Sequence, residues 1–255
     1  WETDFFAIRL VWALKDRVSH KVFQCGCAQL QGWREASNKV GAISPYIAFG
    51  ISCHNRADVP IRYATIGSTS FLPSKPLGCY GDGGGLFTND DELAERMRHI
   101  RVHGQTERHH HPILGINGRL DTLQAAILLE KLEIFDDEIL RRQKVAQAYG
   151  DGIRNSSVTL PRVGPGNTSV FAQYTILSSN RDALSASLKE AGIPSVSYYA
   201  VPLHLQPVFD GLGCKKGQFP VTEDVASRGL SLPMNPYLSG EEVAAVCDVI
   251  VSAGG

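Results

Sequence analysis

A lysine framed by prolines and followed by glycines is the feature of this 255-residue sequence that most restricts its fold. Lys75 lies in the segment SFLPSKPLGCYGDGGG, residues 70–85, between Pro73 and Pro76. The two prolines fix their own φ angles and restrict the residues before them, so Lys75 lies on a stiffened backbone. Glycines at positions 78, 81, 83, 84 and 85 permit close approach and positive φ angles, which suits packing around a flat ligand or a tight entry into a strand. A lysine held in this way can aim its amine at a carbonyl carbon and form a Schiff base.

Two glycine-rich phosphate-binding motifs do not fit this segment. A P-loop needs its glycines before a Lys-Ser or Lys-Thr pair, whereas here the lysine precedes the glycines and proline follows it. The dinucleotide fingerprint needs a helix after its glycines, whereas GDGGG leads into LFTND, which is typical of a strand. A solvated surface lysine is the plainer interpretation, and the prolines argue against it.

Charge and composition exclude some classes of partner. The net charge of -1 gives no overall positive field to hold nucleic acid or an anionic membrane. The sequence has no apolar run of membrane-spanning length and does not open on a secretory leader, so we expect a cytoplasmic protein. Six scattered cysteines are expected to be reduced thiols. We expect no metal site at RHHHP, residues 108–112, because three consecutive histidines cannot share one helix face.

Strand and helix signals alternate from Tyr63 onward. ATIGSTSF and GGLFT predict short strands, and Asn89 with Glu92 predicts the capped start of a helix that Gly104 ends. A longer helix is predicted from near Arg119 through LDTLQAAILLEKLEIFDDEILRRQKVAQAY. The first half of this helix is apolar on more than one face, which favours a buried position or an interface between two copies of the chain.

Glycines and prolines after Gly150 predict a domain boundary. Beyond it, SVFAQYTIL and SVSYY predict strands, and NRDALSASLKEAG predicts a helix that ends at Gly192. LSGEEVAAVCDVIVSA predicts a helix capped by Ser239 and Glu242. Residues 1–62 show no sustained period. We therefore expect an α/β protein with three parts. Residues 1–62 form a part that the sequence does not allow us to assign, residues 63–150 hold the lysine segment and the long helix, and residues 151–255 form a smaller C-terminal unit.

Several longer motifs between about Ala64 and Leu238 resemble one family. TSFLPSKPLGCYGDGGGLFTNDDELAERMR, RVHGQ, GINGRLDTLQAAILLEKLEIFDDEI and SLPMNPYL are similar to the DegT/DnrJ/EryC1/StrS sugar aminotransferases, especially those that aminate C3 of a UDP-linked 2-acetamido-3-oxo-glucuronic acid for surface polysaccharides. The resemblance implies a pyridoxal 5'-phosphate (PLP) enzyme of fold type I, aspartate-aminotransferase-like. It also implies an N-terminally incomplete large domain, a smaller C-terminal α+β domain, and a homodimer with composite active sites.

The resemblance assigns roles to individual residues. Lys75 matches the lysine that binds PLP covalently and transfers protons, and Ser70 matches the hydroxyl that binds the cofactor phosphate. Asn117 matches an asparagine that reaches the cofactor phosphate of the partner subunit. Arg119 matches an arginine of the partner's substrate pocket. The resemblance further implies glutamate as the amino donor and a UDP-sugar as the acceptor.

The sequence departs from the family's pattern near the substrate. Tyr198 and Tyr199 of SYYAVP are the expected substrate contacts, although Ser197 and Tyr198 stand where close relatives carry a Val-His pair. Asn235 replaces a histidine in the family's LPMHPYL.

A second departure concerns the family's Glu-Asp-Ala-Ala motif, whose aspartate pairs with the PLP ring nitrogen. The corresponding region reads GAISPYIAFGISCHN, and the only acidic residues between Asp16 and Lys75 are Glu35 and Asp58. Asp58 is the first candidate for a substitute. The alternative function is therefore a truncated, catalytically weak or dead remnant that only dimerises or binds a sugar nucleotide. A PLP-dependent sugar dehydratase of the same fold is disfavoured, because that branch carries histidine where this chain has Lys75.

Overall fold

The computed structural model describes residues 21–24, 66–165 and 167–253. The chain divides into two compact units, Trp1–Asp136 and Asp137–Gly255. The division falls within one long helix, upstream of the boundary that the glycines and prolines suggest. The domain limits at residues 62 and 150 therefore stay predictions. The described chain contains both strands and helices, which confirms the α/β class at this level.

The first unit contains a three-stranded antiparallel sheet. Its central strand is β3 (Gly84–Thr88), which pairs with β1 (Lys21–Gln24) on one side and with β2 (Gly67–Ser70) on the other. Most of β3 is buried, as expected for a central strand. The predicted strand GGLFT is confirmed in full. Of ATIGSTSF, Gly67–Ser70 form β2, and Ala64 and Thr65 lie outside the described residues.

Helix α1 (Asp91–Ile100) follows the sheet, and Asp90 caps its start. The Asp90 carboxylate accepts hydrogen bonds from the amides of Glu92 and Leu93 at 2.9 and 3.0 Å. The prediction of Asn89 as the cap is wrong by one residue, because the ionised carboxylate at position 90 is the stronger acceptor for two amides. The helix itself ends at Ile100, and Gly104, with a φ of 70°, closes the turn that follows: its amide donates to the carbonyl of His99 at 2.8 Å.

Helix α2 (Thr122–Gly152) is the long helix, and it begins three residues beyond Arg119. Its first half buries four side chains in the first unit: Ala125, Leu128, Leu132 and Phe135. Its second half contributes Val145, Ala146 and Tyr149 to the core of the second unit. The prediction that the first half is buried is therefore confirmed for one face of the helix, while Leu123 and Ile134 lie exposed.

The second unit contains a two-stranded antiparallel sheet and three helices of its own. The strands are β4 (Tyr174–Leu177) and β5 (Gly229–Leu232), and the helices are α3 (Arg181–Glu190), α4 (Pro220–Arg228) and α5 (Gly240–Ala253). Two short 3-10 turns, Leu203–Leu205 and Pro207–Leu212, precede α4. Only the last four residues of the predicted strand SVFAQYTIL form a strand. SVSYY does not form one, because Val196 makes a single bridge to Ser231 and the chain then turns.

The core of the second unit is built from fully buried side chains of α2, both strands, α3 and α5. Its members include Tyr149, Ile176, Leu188, Leu230 and Ile250. The hydroxyl of Tyr149 donates to the carbonyl of Pro233 at 2.8 Å, so the buried phenol has a partner.

Two predicted helix termini in this unit are confirmed. Helix α3 ends at Glu190, and Gly192 terminates it as predicted: its φ of 73° lets the amide of Ile193 reach the carbonyl of Leu188 at 2.8 Å. Helix α5 begins with a reciprocal pair: the Ser239 hydroxyl accepts from the Glu242 amide at 3.2 Å, and the Glu242 carboxylate accepts from the Ser239 amide at 2.8 Å. Hydrogen bonds from Ser239 also lower the pKa of Glu242.

Three cysteines fall in the described part of the chain, and all three are free thiols: Cys79, Cys214 and Cys247. The expectation of reduced thiols is confirmed for these three, and the other three cysteines lie outside the described residues. None of the described helices is long and apolar enough to cross a membrane.

Candidate active site

Lys75 lies on a tight turn directly after β2. Its amide donates to the carbonyl of Leu72 at 2.8 Å, and the amide of Leu72 donates to the hydroxyl of Ser70 at 3.2 Å. Lys75 is half-buried, whereas Leu72, Pro73 and Ser74 are exposed. Ser70 and Lys75 therefore belong to one turn that Leu72 links by two hydrogen bonds. That the Ser70 hydroxyl and the Lys75 amine meet at one cofactor stays a prediction.

Backbone hydrogen bonds close the base of a loop that contains this turn. The amide of Phe71 donates to the carbonyl of Gly83, and the amide of Cys79 donates to the carbonyl of Phe71, both at 2.8 Å. The thiol of Cys79 also donates to the Phe71 carbonyl at 3.0 Å. Phe71 and Cys79 are fully buried. We call residues 71–83 the lysine loop.

The glycines of the segment allow this loop to close. A Cβ at Gly78 would lie 2.6 Å from the carbonyl oxygen of Leu72, 2.9 Å from that of Pro73 and 3.0 Å from that of Lys75. A Cβ at Gly83 would lie 3.0 Å from the Cys79 sulfur. Real Cβ atoms essentially never approach another heavy atom within 3.0 Å. The predicted role of the glycines in close packing is confirmed at Gly78.

Two side chains of α2 hold the lysine loop within the first unit. The ammonium of Lys131 donates to the carbonyl of Gly78 at 2.7 Å, and the side-chain oxygen of Gln124 accepts from the amide of Tyr80 at 2.8 Å. The Lys131 nitrogen also lies 5.4 Å from the centre of the Tyr80 ring, within the range of a cation–π contact. The sequence analysis missed both residues. Their separation of seven residues, which places them on one helix face, is the signal that could have suggested them.

Asn117 and Arg119 lie on a short extended segment that precedes α2. The amide of Ile116 donates to the carbonyl of Ile100 at 2.8 Å, and the amide of Gly118 donates to that of Arg101 at 2.8 Å. This pairing buries Gly118 and leaves the side chains of Asn117 and Arg119 exposed. Both side chains are thus available to a partner molecule, and their cofactor and substrate roles stay predictions.

Tyr198 and Tyr199 lie on an exposed turn of the second unit. Their rings meet edge to face, with centroids 5.6 Å apart, and Tyr199 is 70% exposed. The hydroxyl of the preceding Ser197 donates to the carbonyl of Gly229 at 2.9 Å, which ties the turn to the start of β5. The side chain of Asn235 accepts from the amide of Tyr237 at 2.8 Å, so it is engaged in a local turn. The substrate contacts of both tyrosines stay predictions.

A carboxylate organises the loop before α4 in the second unit. Both oxygens of Glu223 accept from the amide of Gly217 at 2.8 Å, and one oxygen lies 3.1 Å from Nε2 of His204. These contacts lower the pKa of Glu223, and the amide of Gly217 has the largest effect. Glu223 therefore stabilises this loop in its ionised form.

The histidines of residues 108–112 lie on an exposed loop of the first unit. Nδ1 of His110 lies 2.9 Å from the hydroxyl of Thr106, and Nδ1 of His111 lies 3.0 Å from the carbonyl of His103. No cluster of three metal-ligating side chains occurs within residues 66–165 and 167–253.

The comparisons with known proteins identify the family. The structural neighbours of this chain are sugar aminotransferases of PLP fold type I. The model of the DegT/DnrJ/EryC1/StrS aminotransferase family matches residues 48–251, so the chain belongs to this family.

Two curated relatives match over 189 residues each. The UDP-2-acetamido-2-deoxy-3-oxo-D-glucuronate aminotransferase of Pseudomonas aeruginosa is 49% identical over 74% of this chain and 52% of its own length. A pleiotropic regulatory protein of Geobacillus stearothermophilus is 48% identical over 73% of this chain and 51% of its own length. The chain thus spans about half the length of the curated relatives it matches.

Solved structures extend the comparison to the fold. A DegT DnrJ EryC1 StrS aminotransferase from Brucella abortus is 47% identical, with a TM-score of 0.71, over 75% of this chain and 52% of that chain. PLP is the cofactor of this family. A more distant neighbour from Bacillus subtilis, 25% identical with a TM-score of 0.69 over 77% of this chain and 47% of that chain, holds the cofactor as PMP.

The described residues fit PLP in their chemistry. Lys75 offers a half-buried primary amine on a fixed turn. The Ser70 oxygen already accepts from the Leu72 amide, so its own hydrogen remains available for a phosphate oxygen. The acidic partner of the ring nitrogen precedes the lysine in the family's order. Asp58 and residues 41–55, where that partner is expected, lie outside the described residues.

Proposed function

We propose that this chain is part of a PLP-dependent aminotransferase that moves an amino group from glutamate to a keto-sugar nucleotide. The acceptor position is C3 of a UDP-linked 2-acetamido-3-oxo-uronic acid, and the product serves surface polysaccharide synthesis in the cytoplasm. The observation that carries the proposal is the placement of Lys75 on a loop closed at Phe71 and braced by α2. The 49% identical aminotransferase acts on this substrate class, as its name states.

Lys75 has two tasks in this proposal. When bound, PLP supplies the electron sink that lets a carbon next to nitrogen lose its proton. The Lys75 amine anchors the cofactor and, once released by the amino donor, holds the proton that leaves the donor's α-carbon. Ser70 donates to the phosphate from the same turn. The products are 2-oxoglutarate and the amino sugar nucleotide, so the amino group is conserved.

Asn117 and Arg119 serve the partner subunit of a homodimer in this proposal. Their exposed side chains support it, since each can reach beyond its own chain. The Asn117 amide is suited to a phosphate oxygen, and the Arg119 guanidinium is suited to a carboxylate or a pyrophosphate. Tyr198 and Tyr199 offer aromatic faces and hydroxyls to the sugar nucleotide from the C-terminal domain.

A second candidate function is binding without turnover. The absence of the Glu-Asp-Ala-Ala motif from the sequence favours it, because the ring nitrogen then lacks its acidic partner. Such a chain would bind a sugar nucleotide or a second copy of itself and would not form 2-oxoglutarate.

Two measurements test the function. The chain is incubated with PLP and reduced with borohydride, and its peptides are mapped by mass spectrometry; we expect a PLP adduct on Lys75 and none in the Lys75→Met variant. Glutamate and a UDP-linked 3-keto sugar are then supplied, and 2-oxoglutarate is measured. An adduct with turnover supports the aminotransferase, and an adduct without turnover supports the binding protein. The absence of a Lys75 adduct would refute the proposal.

A further inference from the structure

The ammonium of Lys131 has both of its described partners on the lysine loop. It donates to the Gly78 carbonyl at 2.7 Å and lies 5.4 Å from the centre of the Tyr80 ring. A hydrogen bond from a charged donor is stronger than one between neutral groups. Lys131 is half-buried, which reduces the competition from water. Its side chain therefore links α2 to the loop at one well-defined point.

Gly78 transmits that link to Lys75. Its α-carbon packs against the turn so closely that a methyl group there would meet the carbonyl oxygens of Leu72, Pro73 and Lys75 within 3.0 Å. The carbonyl of Leu72 accepts the amide of Lys75. A shift of Gly78 thus moves the backbone of Lys75, and a fixed Gly78 fixes it.

Gln124 provides a second point of attachment. It accepts from the amide of Tyr80 at 2.8 Å, two residues beyond Gly78. Tyr80 is 74% exposed, so water can replace Gln124 if its side chain is removed. The Gly78 residue is buried, so its carbonyl has less access to a replacement donor. Lys131 is the more important of the two attachments for this reason.

We propose that Lys131, assisted by Gln124, is a positioning residue that fixes the lysine loop on α2 and so orients the amine of Lys75. The reactive role of Lys75 in this inference rests on the proposed function. The placement of the loop by Lys131 does not, because it follows from the hydrogen bond to Gly78 alone.

Amide hydrogen exchange tests the placement without any cofactor. The variants are Lys131→Met, Lys131→Arg and Gln124→Ala, and the matched control is Lys144→Met, an exposed lysine on the same helix. Exchange is followed at the loop amides of Lys75 and Cys79 and, as an internal reference, at the amides of β4 and β5.

Lys131→Met should speed exchange at the two loop amides by about ten- to a hundredfold, the factor expected for the loss of one hydrogen bond to a charged group. Lys131→Arg should restore most of the protection, since a guanidinium can also donate to the Gly78 carbonyl. Gln124→Ala should have a smaller effect than Lys131→Met, and Lys144→Met none. Unchanged exchange in Lys131→Met would overturn the inference, as would an equal increase in β4 and β5, which would indicate general unfolding.

Trapping of PLP by borohydride tests the consequence for Lys75. We expect Lys131→Met to slow formation of the Lys75 adduct about tenfold and Lys131→Arg to restore it, with the absorbance band of the lysine Schiff base changing in parallel. Equal trapping in the unchanged chain and in Lys131→Met would overturn the positioning role. The absence of any adduct in the unchanged chain would refute the proposed function instead, because the exchange experiment decides the placement of the loop independently.

Discussion

Replacement of Gly78 by alanine is the sharpest test of the packing beneath Lys75. The added methyl group would lie 2.6, 2.9 and 3.0 Å from the carbonyl oxygens of Leu72, Pro73 and Lys75. All three are backbone atoms, so no side chain can rotate away. Gly78 does not have a positive φ, so alanine would not meet the strain of the left-handed region there. The cost of the substitution therefore comes from crowding alone.

The magnitude follows from these distances. The shortest contact must open by about 0.4 Å to reach even 3.0 Å, the limit that real Cβ atoms respect. Overpacking of this kind costs about 1–3 kcal/mol of unfolding free energy. A change from glycine to alanine also lowers the conformational entropy of the unfolded chain, which stabilises the folded state by about 0.4–1 kcal/mol. We expect a net destabilisation of about 1–2 kcal/mol, with slower formation of the PLP adduct on Lys75.

Urea unfolding measures the change, and Gly240→Ala is the matched control. Gly240 also lacks a positive φ, and a Cβ there would meet no atom within 4 Å. The control variant should be as stable as the unchanged chain or slightly more stable. If Gly78→Ala unfolds at the same urea concentration as Gly240→Ala, and traps PLP at the unchanged rate, the account of the lysine loop is wrong.

Three further predictions concern the second unit and are checked by urea unfolding. Tyr149→Phe removes the donor to the Pro233 carbonyl and keeps the ring, so the unfolding free energy should fall by about 1 kcal/mol. An unchanged unfolding free energy would show that water donates to the Pro233 carbonyl in place of the hydroxyl. Ser239→Ala removes the cap of α5 and should also cost about 1 kcal/mol, whereas Ser239→Asp should restore the cap. The carboxylate of Glu223 has a lowered pKa because Gly217 donates to it, so its stabilisation is complete above the ordinary value of 4.5 and is lost as the pH falls through the lowered value. Glu223→Gln should therefore make stability less dependent on pH below about 4.5, and an unchanged slope would contradict this reading.

Local signals made part of the fold predictable from the sequence. The ends of α3 and α5 were predicted because Gly192, Ser239 and Glu242 act on backbone groups within a few residues. The strand β3 was predicted from GGLFT, a short segment that includes phenylalanine and threonine, two residues that favour strands. The closure around Lys75 was predictable in kind, since glycine is the residue that permits close approach.

Other parts of the fold could not be predicted, because side chains compete with the backbone for hydrogen bonds and a hydrophobic pattern does not show which of them forms the bond. SVFAQYTIL is apolar enough for a long strand, yet the Phe171 amide donates to the Ser169 hydroxyl at 3.1 Å and Phe171 has a φ of 43°. A side-chain hydrogen bond of this kind favours a turn over a strand. The same competition placed the cap of α1 at Asp90 instead of Asn89.

Contacts between distant residues were the least predictable. Gln124 and Lys131 meet the lysine loop across 44 and 53 residues of sequence, and no short motif encodes either contact. The strand β1 lies in a region whose sequence shows no sustained period, and its pairing with β3 spans more than sixty residues. Tertiary packing decides such contacts, so they appear only once the fold is known.

The burial of Cys79 decides which of two neighbouring nucleophiles a reagent meets. Aldehydes and alkylating agents react with thiols as readily as with amines, and reactivity of a thiol requires access to it. Cys79 is fully buried, and its sulfur lies 3.0 and 3.1 Å from the carbonyl oxygens of Phe71 and Gly81. Lys75, four residues earlier, is only half-buried. Chemical labelling of the folded chain should therefore modify the Lys75 amine and spare Cys79, while the partly exposed Cys214 offers a thiol for attaching probes away from the lysine loop.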